Sequence, residues 1–138
     1  LEEALDVAGR AIGMILELKV EGIGNEACAI VKRTGFPGPL IYASFLMPEL
    51  QRVRQTDPDA KIMVLQHRRL PPDPVADVVA LDASHVGLHF STVTPMLLQT
   101  YHNLGRQVFV YTVNEPQDIQ RMRNLGVDGI ISDFPDRI

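Results

Sequence analysis

The sequence is poor in the features that mark several common classes of protein. Its single cysteine, Cys28, excludes an intrachain disulfide and a cysteine-based zinc site. No apolar run approaches the roughly 18 residues of a membrane-spanning helix. The net charge is −4, with acidic and basic residues interspersed, which argues against a nucleic-acid or anionic-membrane partner. Nucleotide-binding glycine loops and His-x-x-x-His zinc pairs are also absent, and Gly22-x-Gly24 indicates only a turn.

What the chain does contain is typical of one globular domain with a sizeable core. Hydrophobic residues make up 46% of the 138 residues and charged residues 22%. Cys28 lies in a helical apolar pattern, so we expect it to be a packed core thiol.

Short apolar stretches alternate with helical patterns along the chain. The predicted strands begin near residues 12, 39, 61, 85, 107 and 128, and amphipathic helices separate them. Such alternation gives a parallel sheet. Two folds remain open at this point. One is a six-stranded, doubly wound open sheet, and the other is a (β/α)8 TIM barrel with about six of its eight strand–helix units present.

The last strand–helix–strand unit has the clearest boundaries. Residues 107–113 are apolar, β-branched and aromatic, as in a strand that is buried on both faces. Asn114 is predicted to cap the following helix, with Gln117 as its capping-box partner. Gly126 is predicted to end that helix in a left-handed conformation, and residues 127–131 form the next strand. Two strands joined by so short a helix predict a right-handed βαβ crossover.

Glu17 and Lys19 are the strongest candidates for chemistry. In both folds ligands bind at the carboxyl ends of the strands, and these two residues end the first predicted strand. They are two positions apart, so their side chains point to the same side. One interpretation is a structural ion pair at the rim of the sheet. The other is a carboxylate ligand for Mg²⁺ or Ca²⁺ beside an ammonium group that binds a phosphodiester oxygen.

Other candidates at strand ends are aromatic residues and histidines. Phe45 and Tyr111 lie at strand ends, where core packing is the favoured role for Phe45 and strand packing with a local hydroxyl bond is an ordinary role for Tyr111. His67 and His89 also follow strands, and we interpret them as solvated or non-catalytic residues. His102 lies in a predicted helix and is interpreted as a packing residue.

Two motifs resemble a known family. Tyr111-Thr-Val-Asn, about a dozen helical residues and Gly126-Val-Asp-Gly-Ile-Ile-Ser-Asp-Phe-Pro135 resemble the C-terminal signature of the glycerophosphodiester phosphodiesterase family. Leu16-Glu-Leu-Lys19 resembles its Glu-x-Lys strand. Tyr111 replaces the family's Trp, and Ser132 replaces its Thr. The resemblance covers essentially the whole chain and implies a TIM barrel, with residues 1–138 as the C-terminal part of a single barrel domain.

The resemblance also implies an activity and roles for four residues. Family members hydrolyse glycerophosphodiesters to glycerol 3-phosphate and an alcohol, a reaction of lipid and glycerol metabolism, with one divalent cation and two histidines. By this resemblance Glu17 is a ligand of Mg²⁺ or Ca²⁺, and Lys19, Tyr111 and Phe45 bind the small-molecule substrate.

The family's His-Arg-Gly and Pro-Glu-Asn motifs are absent from this sequence. We therefore expect the histidine pair and the other acidic ligands upstream of Leu1, and we expect these 138 residues to be inactive alone. A degenerate barrel domain that binds a phospho-ligand or a protein partner stays an alternative, as does an unrelated doubly wound domain.

The chain starts inside a predicted helix, so we interpret it as the C-terminal part of a longer protein. Its open sheet edges would then be covered by the front of the barrel or by another copy of the chain. A cytoplasmic location is expected, with secretion or a periplasmic location left open because a signal peptide could precede Leu1.

Overall fold

The computed structural model describes residues 1–9 and 12–138, which divide into two compact units, Leu1–Met63 and Val64–Ile138. Helices and strands alternate in both units. The first unit contains α1 (Glu2–Ala8), β1 (Met14–Glu17), α2 (Gly24–Thr34), β2 (Leu40–Ser44) and α3 (Met47–Thr56). Strand β3 (Lys61–Gln66) begins in the first unit and ends in the second. The second unit continues with α4 (Ala76–Ala80), β4 (His85–His89), α5 (Pro95–Asn103), β5 (Gln107–Tyr111), α6 (Pro116–Leu125) and β6 (Gly129–Ile130).

The first unit is built on the parallel pair of β1 and β2. The register runs from Met14 opposite Leu40 to Glu17 opposite Ala43. Helix α2 packs Ala27 and Cys28 into the core, so the prediction of a buried thiol is confirmed. Gly35 ends α2 with φ 60°, a left-handed conformation that a residue without Cβ adopts most readily.

The second unit carries β4, β5 and β6 side by side and parallel. The register between β4 and β5 runs from His85 opposite Gln107 to His89 opposite Tyr111. The central positions are fully buried, which explains why these strands are apolar on both faces: Val86, Leu88, Val108 and Val110. Two parallel strands joined through α6 confirm the predicted βαβ unit.

Gly129 in β6 is required by close packing against β5. A Cβ at this position would lie 2.6 Å from ring carbons of Phe109, closer than real side chains approach. Glycine here lets the aromatic ring cover the backbone of the last strand.

Some element boundaries differ from the predicted ones. Strand β1 begins at Met14, two residues later than expected, and β5 ends at Tyr111, two residues earlier. Helix α6 begins at Pro116 after the N-cap residue Glu115, with no side-chain capping bond, so the prediction that Asn114 caps this helix is wrong. In the part of the chain that the structure describes, no helix has the length and apolar content needed to cross a bilayer.

Candidate functional site

Glu17 and Lys19 form an accessible ion pair where β1 ends. Glu17 Oε2 lies 3.4 Å from Lys19 Nζ, and the side chains are 35% and 73% exposed. Leu18 between them is buried, and its N–H donates to Ala43 O at 2.8 Å. The strand alternation therefore places both charged side chains on the side opposite Leu18. An ion pair this exposed contributes about 0–1 kcal/mol to stability, so structural support alone explains little of its presence.

Ser44 fixes the backbone between these two charged residues. Its side chain is fully buried, and Oγ donates to Leu18 O at 2.6 Å while accepting from Leu46 N at 2.9 Å. The hydroxyl thus ties the end of β1 to the end of β2, just where the chain leaves the ladder. Phe45 follows in the same turn and is half-buried. No pattern in the sequence pointed to this role of Ser44.

Glu49 holds the turn that follows Lys19. This fully buried carboxylate on α3 accepts from Gly22 N at 2.7 Å and from Gly24 N at 2.8 Å, and it pairs with Arg52. Burial opposes its ionisation, but the two N–H donors and the Arg52 guanidinium outweigh burial and hold the pKa of Glu49 below its usual value. The turn also requires its glycines, since a Cβ on Gly24 would lie 2.9 Å from Glu49 O.

In the second unit, Tyr111 lies at the end of β5 with its ring half-buried. Its hydroxyl donates to Gln66 O, so this phenol bonds locally, as in the packing interpretation of the sequence. The ring meets His89 edge-on, with 6.1 Å between the ring centroids. The hydroxyl bond to Gln66 and the ring contact with His89 together position the aromatic ring of Tyr111.

His89 is held at the end of β4 by its own turn. Its Nδ1 lies 2.8 Å from Ser91 Oγ and accepts from Ser91 N at 3.2 Å. The imidazole stacks on Phe90, with 4.8 Å between the ring centroids. Burial, and then the positive charge of Arg68, lowers the pKa of His89. Both effects favour the neutral form of the imidazole.

The other two histidines of the prediction lie elsewhere. His67 is exposed in the loop after β3. His102 Nε2 lies 2.8 Å from Asp128 Oδ2, and its side chain is 34% exposed. Asp128 also accepts from Val108 N at 2.7 Å. The interpretation of His102 as a packing residue is therefore wrong, because a carboxylate pairs with it.

Asn114 joins the chain after β5 to the chain after β6. Its Nδ2 donates to Asp133 Oδ2 at 2.9 Å, and its Oδ1 accepts from Asp133 N at 3.0 Å and from Ser132 Oγ at 3.2 Å. Arg137 Nη1 donates to Asn114 O at 2.9 Å. The amide that the sequence suggested as a helix cap is therefore used to link two strand ends.

The described residues provide an incomplete set of ligands for a hard cation. Mg²⁺ and Ca²⁺ take six or more oxygen ligands, mostly carboxylates, carbonyls and waters. Among residues 1–9 and 12–138, no three His, Cys, Asp or Glu side chains cluster closely enough to hold a metal ion. Glu17 has the ligand chemistry that such a cation needs, but its neighbour is the ammonium group of Lys19. Glu17 can therefore supply one ligand of a metal site, and residues outside this pair would have to supply the others.

Comparison with known proteins identifies the relatives of this chain. The glycerophosphoryl diester phosphodiesterase family model matches residues 12–137. A glycerophosphodiester phosphodiesterase of Caldanaerobacter subterraneus subsp. tengcongensis is 28% identical over 117 residues, which cover 85% of this chain and 48% of that protein. A Bacillus subtilis (strain 168) protein named as a "Putative glycerophosphodiester phosphodiesterase" is 26% identical over 144 residues, covering 100% of this chain and 59% of that protein.

Solved structures give the same result for the fold. A Silicibacter pomeroyi DSS-3 structure, described as a "Putative glycerophosphoryl diester phosphodiesterase", is 32% identical and covers 99% of this chain and 53% of its own, with a TM-score of 0.88. An Oleispira antarctica phosphodiesterase, solved with the product sn-glycerol-3-phosphate, is 24% identical and shares the fold, covering 100% of this chain and 58% of its own with a TM-score of 0.89. The prediction of a partial TIM barrel is confirmed, and this chain spans about half the length of these relatives.

Proposed function

The chain belongs to the glycerophosphoryl diester phosphodiesterase family, and we propose that it takes part in hydrolysing glycerophosphodiesters to glycerol 3-phosphate and an alcohol. The observation that carries this proposal is the accessible Glu17–Lys19 pair at the end of β1. Residues 1–138 would form the C-terminal part of one barrel domain. Because the chain covers 48% and 59% of two relatives, the proposal includes catalytic histidines supplied from outside these residues.

Lys19 is proposed to bind a phosphodiester oxygen. Its side chain is 73% exposed, and the rigid backbone at Leu18 fixes where the lysine side chain begins. An ammonium group placed before the reaction stabilises the negative charge that builds on the phosphoryl oxygens in the transition state. Lysine suits this contact because it is a compact point charge with three donors.

Glu17 is proposed as one carboxylate ligand of a divalent cation, Mg²⁺ or Ca²⁺. Such a cation, when bound, polarises a phosphoryl oxygen. With its side chain 35% exposed, Glu17 can exchange its partner Lys19 for a ligand without losing a buried ion pair. Phe45 and Tyr111 are each proposed as substrate-binding residues, because each is half-buried where its own strand ends and the family resemblance implies this role for both, with Tyr111 in place of the family's Trp.

The test uses the longer protein that supplies the catalytic histidines, and compares its Lys19→Met and Glu17→Gln variants with the control Lys32→Met, an exposed lysine in α2. We expect kcat/KM for glycerophosphocholine to fall by about 100-fold or more in both site variants, a typical loss for one charge-stabilising group. The thermal midpoint should change little, because an exposed pair contributes little to stability. Activity in Lys19→Met equal to that of Lys32→Met would contradict the assignment.

We further propose that the 138 residues alone do not turn over substrate, because His-Arg-Gly and Pro-Glu-Asn are absent from them. The assay is release of glycerol 3-phosphate from glycerophosphocholine with Mg²⁺ or Ca²⁺ added. Robust turnover would refute this. If the longer protein that contains these residues binds glycerol 3-phosphate but never hydrolyses a diester, the non-catalytic, ligand-binding alternative is favoured.

A further inference from the structure

A short basic loop follows β3 in the second unit. His67, Arg68 and Arg69 are consecutive and exposed, in a chain whose net charge is −4. Within the described ranges, 1–9 and 12–138, neither arginine forms an ion pair with a carboxylate. Two adjacent guanidinium groups without a carboxylate repel each other and are stabilised when an anion binds between or beside them.

Buried polar groups fix both ends of this loop. The Tyr101 hydroxyl, on a fully buried side chain of α5, donates to Pro74 O at 2.7 Å and lies 3.2 Å from Gln66 Oε1. Gln66 Nε2 also donates to Pro74 O, so one side chain links the first and last residues that flank the loop. Burial raises the pKa of Tyr101 to about 12, which keeps the phenol protonated and donating. Anchored ends reduce the entropy that the loop loses when a ligand binds.

The loop lies close to the end of the neighbouring strand β4. The Tyr111 hydroxyl donates to the carbonyl of Gln66, the residue before His67, so the loop begins beside Tyr111. The ring of Tyr111 contacts that of His89 at a centroid distance of 6.1 Å, and the positive charge of Arg68 contributes to the lowered pKa of His89. Arg121 lies 5.8 Å from the ring centroid of Phe90, but Asp118 pairs with it at 3.1 Å and balances its charge. Among the described residues, the positive charge without a carboxylate partner on this side is therefore that of the loop arginines, and it favours an anionic head group.

We propose that Arg68, supported by Arg69, binds an anionic group on the alcohol portion of the substrate. This inference rests on the proposed function and specifies its substrate class. A carboxylate or phosphate on the head group would accept two parallel hydrogen bonds from a guanidinium, whereas a quaternary ammonium would be repelled. The ligand that fits is a glycerophosphodiester whose head group carries a negative charge of its own.

Two diesters that differ by one carboxylate test this. Glycerophosphoserine and glycerophosphoethanolamine share the glycerol, the phosphodiester and the ammonium group, and calorimetry of the full chain gives both dissociation constants. We expect glycerophosphoserine to bind about 5–10-fold more tightly, and Arg68→Gln together with Arg69→Gln to abolish that ratio. Arg123→Gln, an exposed arginine of α6, is the matched control and should preserve it. Equal affinities in the wild type, a ratio that survives loss of both arginines, or no binding of either diester would each overturn the proposal.

A second readout separates this proposal from the hydrolase assignment. The pKa of His89, followed by NMR of its ring protons, should rise in Arg68→Gln and should rise in the wild type when glycerophosphoserine binds, because either event offsets the nearby positive charge. A His89 pKa unchanged in both experiments counts against the proposal. In the longer protein that supplies the catalytic histidines, head-group discrimination without hydrolysis would support the arginine site and contradict the hydrolase, whereas hydrolysis without discrimination would do the reverse. Circular dichroism and the thermal midpoint establish that each variant is folded.

Discussion

Replacing Glu49 with Gln should destabilise the first unit strongly for a substitution of equal size. Each carboxylate oxygen accepts one backbone N–H, a partly buried one from Gly22 and a buried one from Gly24, and Arg52 balances the charge. Glutamine keeps one accepting oxygen and turns an NH₂ group toward the other N–H, which leaves two donors facing each other. A lost hydrogen bond to a charged group is worth about 1.5–3 kcal/mol, and a stranded buried donor adds to this, so we expect a loss of roughly 2–4 kcal/mol.

The assay is urea unfolding of the wild type, Glu49→Gln and the control Glu26→Gln, which removes an exposed carboxylate from the first turn of α2. The control should change the free energy of unfolding by less than about 0.5 kcal/mol. A loss of 2–4 kcal/mol corresponds to a fall of roughly 10 °C in the thermal midpoint for a chain of this size. If Glu49→Gln costs less than about 1 kcal/mol, the carboxylate does not hold this turn in the way described.

The same carboxylate gives the experiment a pH dependence of known sign. The pKa of Glu49 is lower in the folded state than its ordinary value, so its stabilising contribution is fully present above the ordinary pKa. That contribution is lost as the pH falls through the folded-state pKa. The difference in unfolding free energy between wild type and Glu49→Gln should therefore be constant near neutral pH and should narrow on acidification below the ordinary pKa of a glutamate.

Three further substitutions have definite expectations. Ser44→Ala should lower the free energy of unfolding by about 1–3 kcal/mol, because the buried Leu18 carbonyl loses its donor, and urea unfolding measures this; an unchanged value would contradict it. Asn114→Ala should speed amide hydrogen exchange in residues 131–134, since it removes the side-chain bonds that join the chain after β5 to the chain after β6, and equal exchange rates would show that those bonds are dispensable. Tyr111→Phe should cost about 0.5–1.5 kcal/mol through its lost bond to Gln66, with glycerophosphocholine KM as the separate measure of its effect on substrate.

The alternation of strands and helices could be predicted from the sequence because it rests on local patterns. β2 was predicted to begin near residue 39 and begins at Leu40, and Gly35 and Gly126 both take the left-handed conformation expected of residues that end helices. The prediction of where an element begins was wrong where a tertiary contact competed with a local preference such as helix capping. Asn114 has the chemistry of a helix cap, but its side-chain amide instead forms hydrogen bonds with Asp133, which is distant in sequence and close in space.

The candidate site likewise contains some residues that a local sequence pattern predicts and others that it does not. Glu17 and Lys19 were found because alternation in a strand places them on one side, which two positions of sequence suffice to show. The roles of Ser44 and Glu49 could not be predicted from local spacing. The hydrogen-bond partner of Ser44 lies 26 positions away, and those of Glu49 lie 27 and 25 positions away. A buried glutamate in the sequence resembles any helical surface glutamate until the fold brings Gly22 and Gly24 to it.

The buried position of Cys28 makes this chain a convenient reporter of its own opening. As the sole thiol of the sequence, it gives one labelling site without any substitution. Burial raises its pKa, so the reactive thiolate is scarce in the native state as well as shielded. The rate at which a thiol reagent modifies the protein therefore measures how often helix α2 lifts away from the interior, and variants of the Glu49 turn can be ranked by that rate alone.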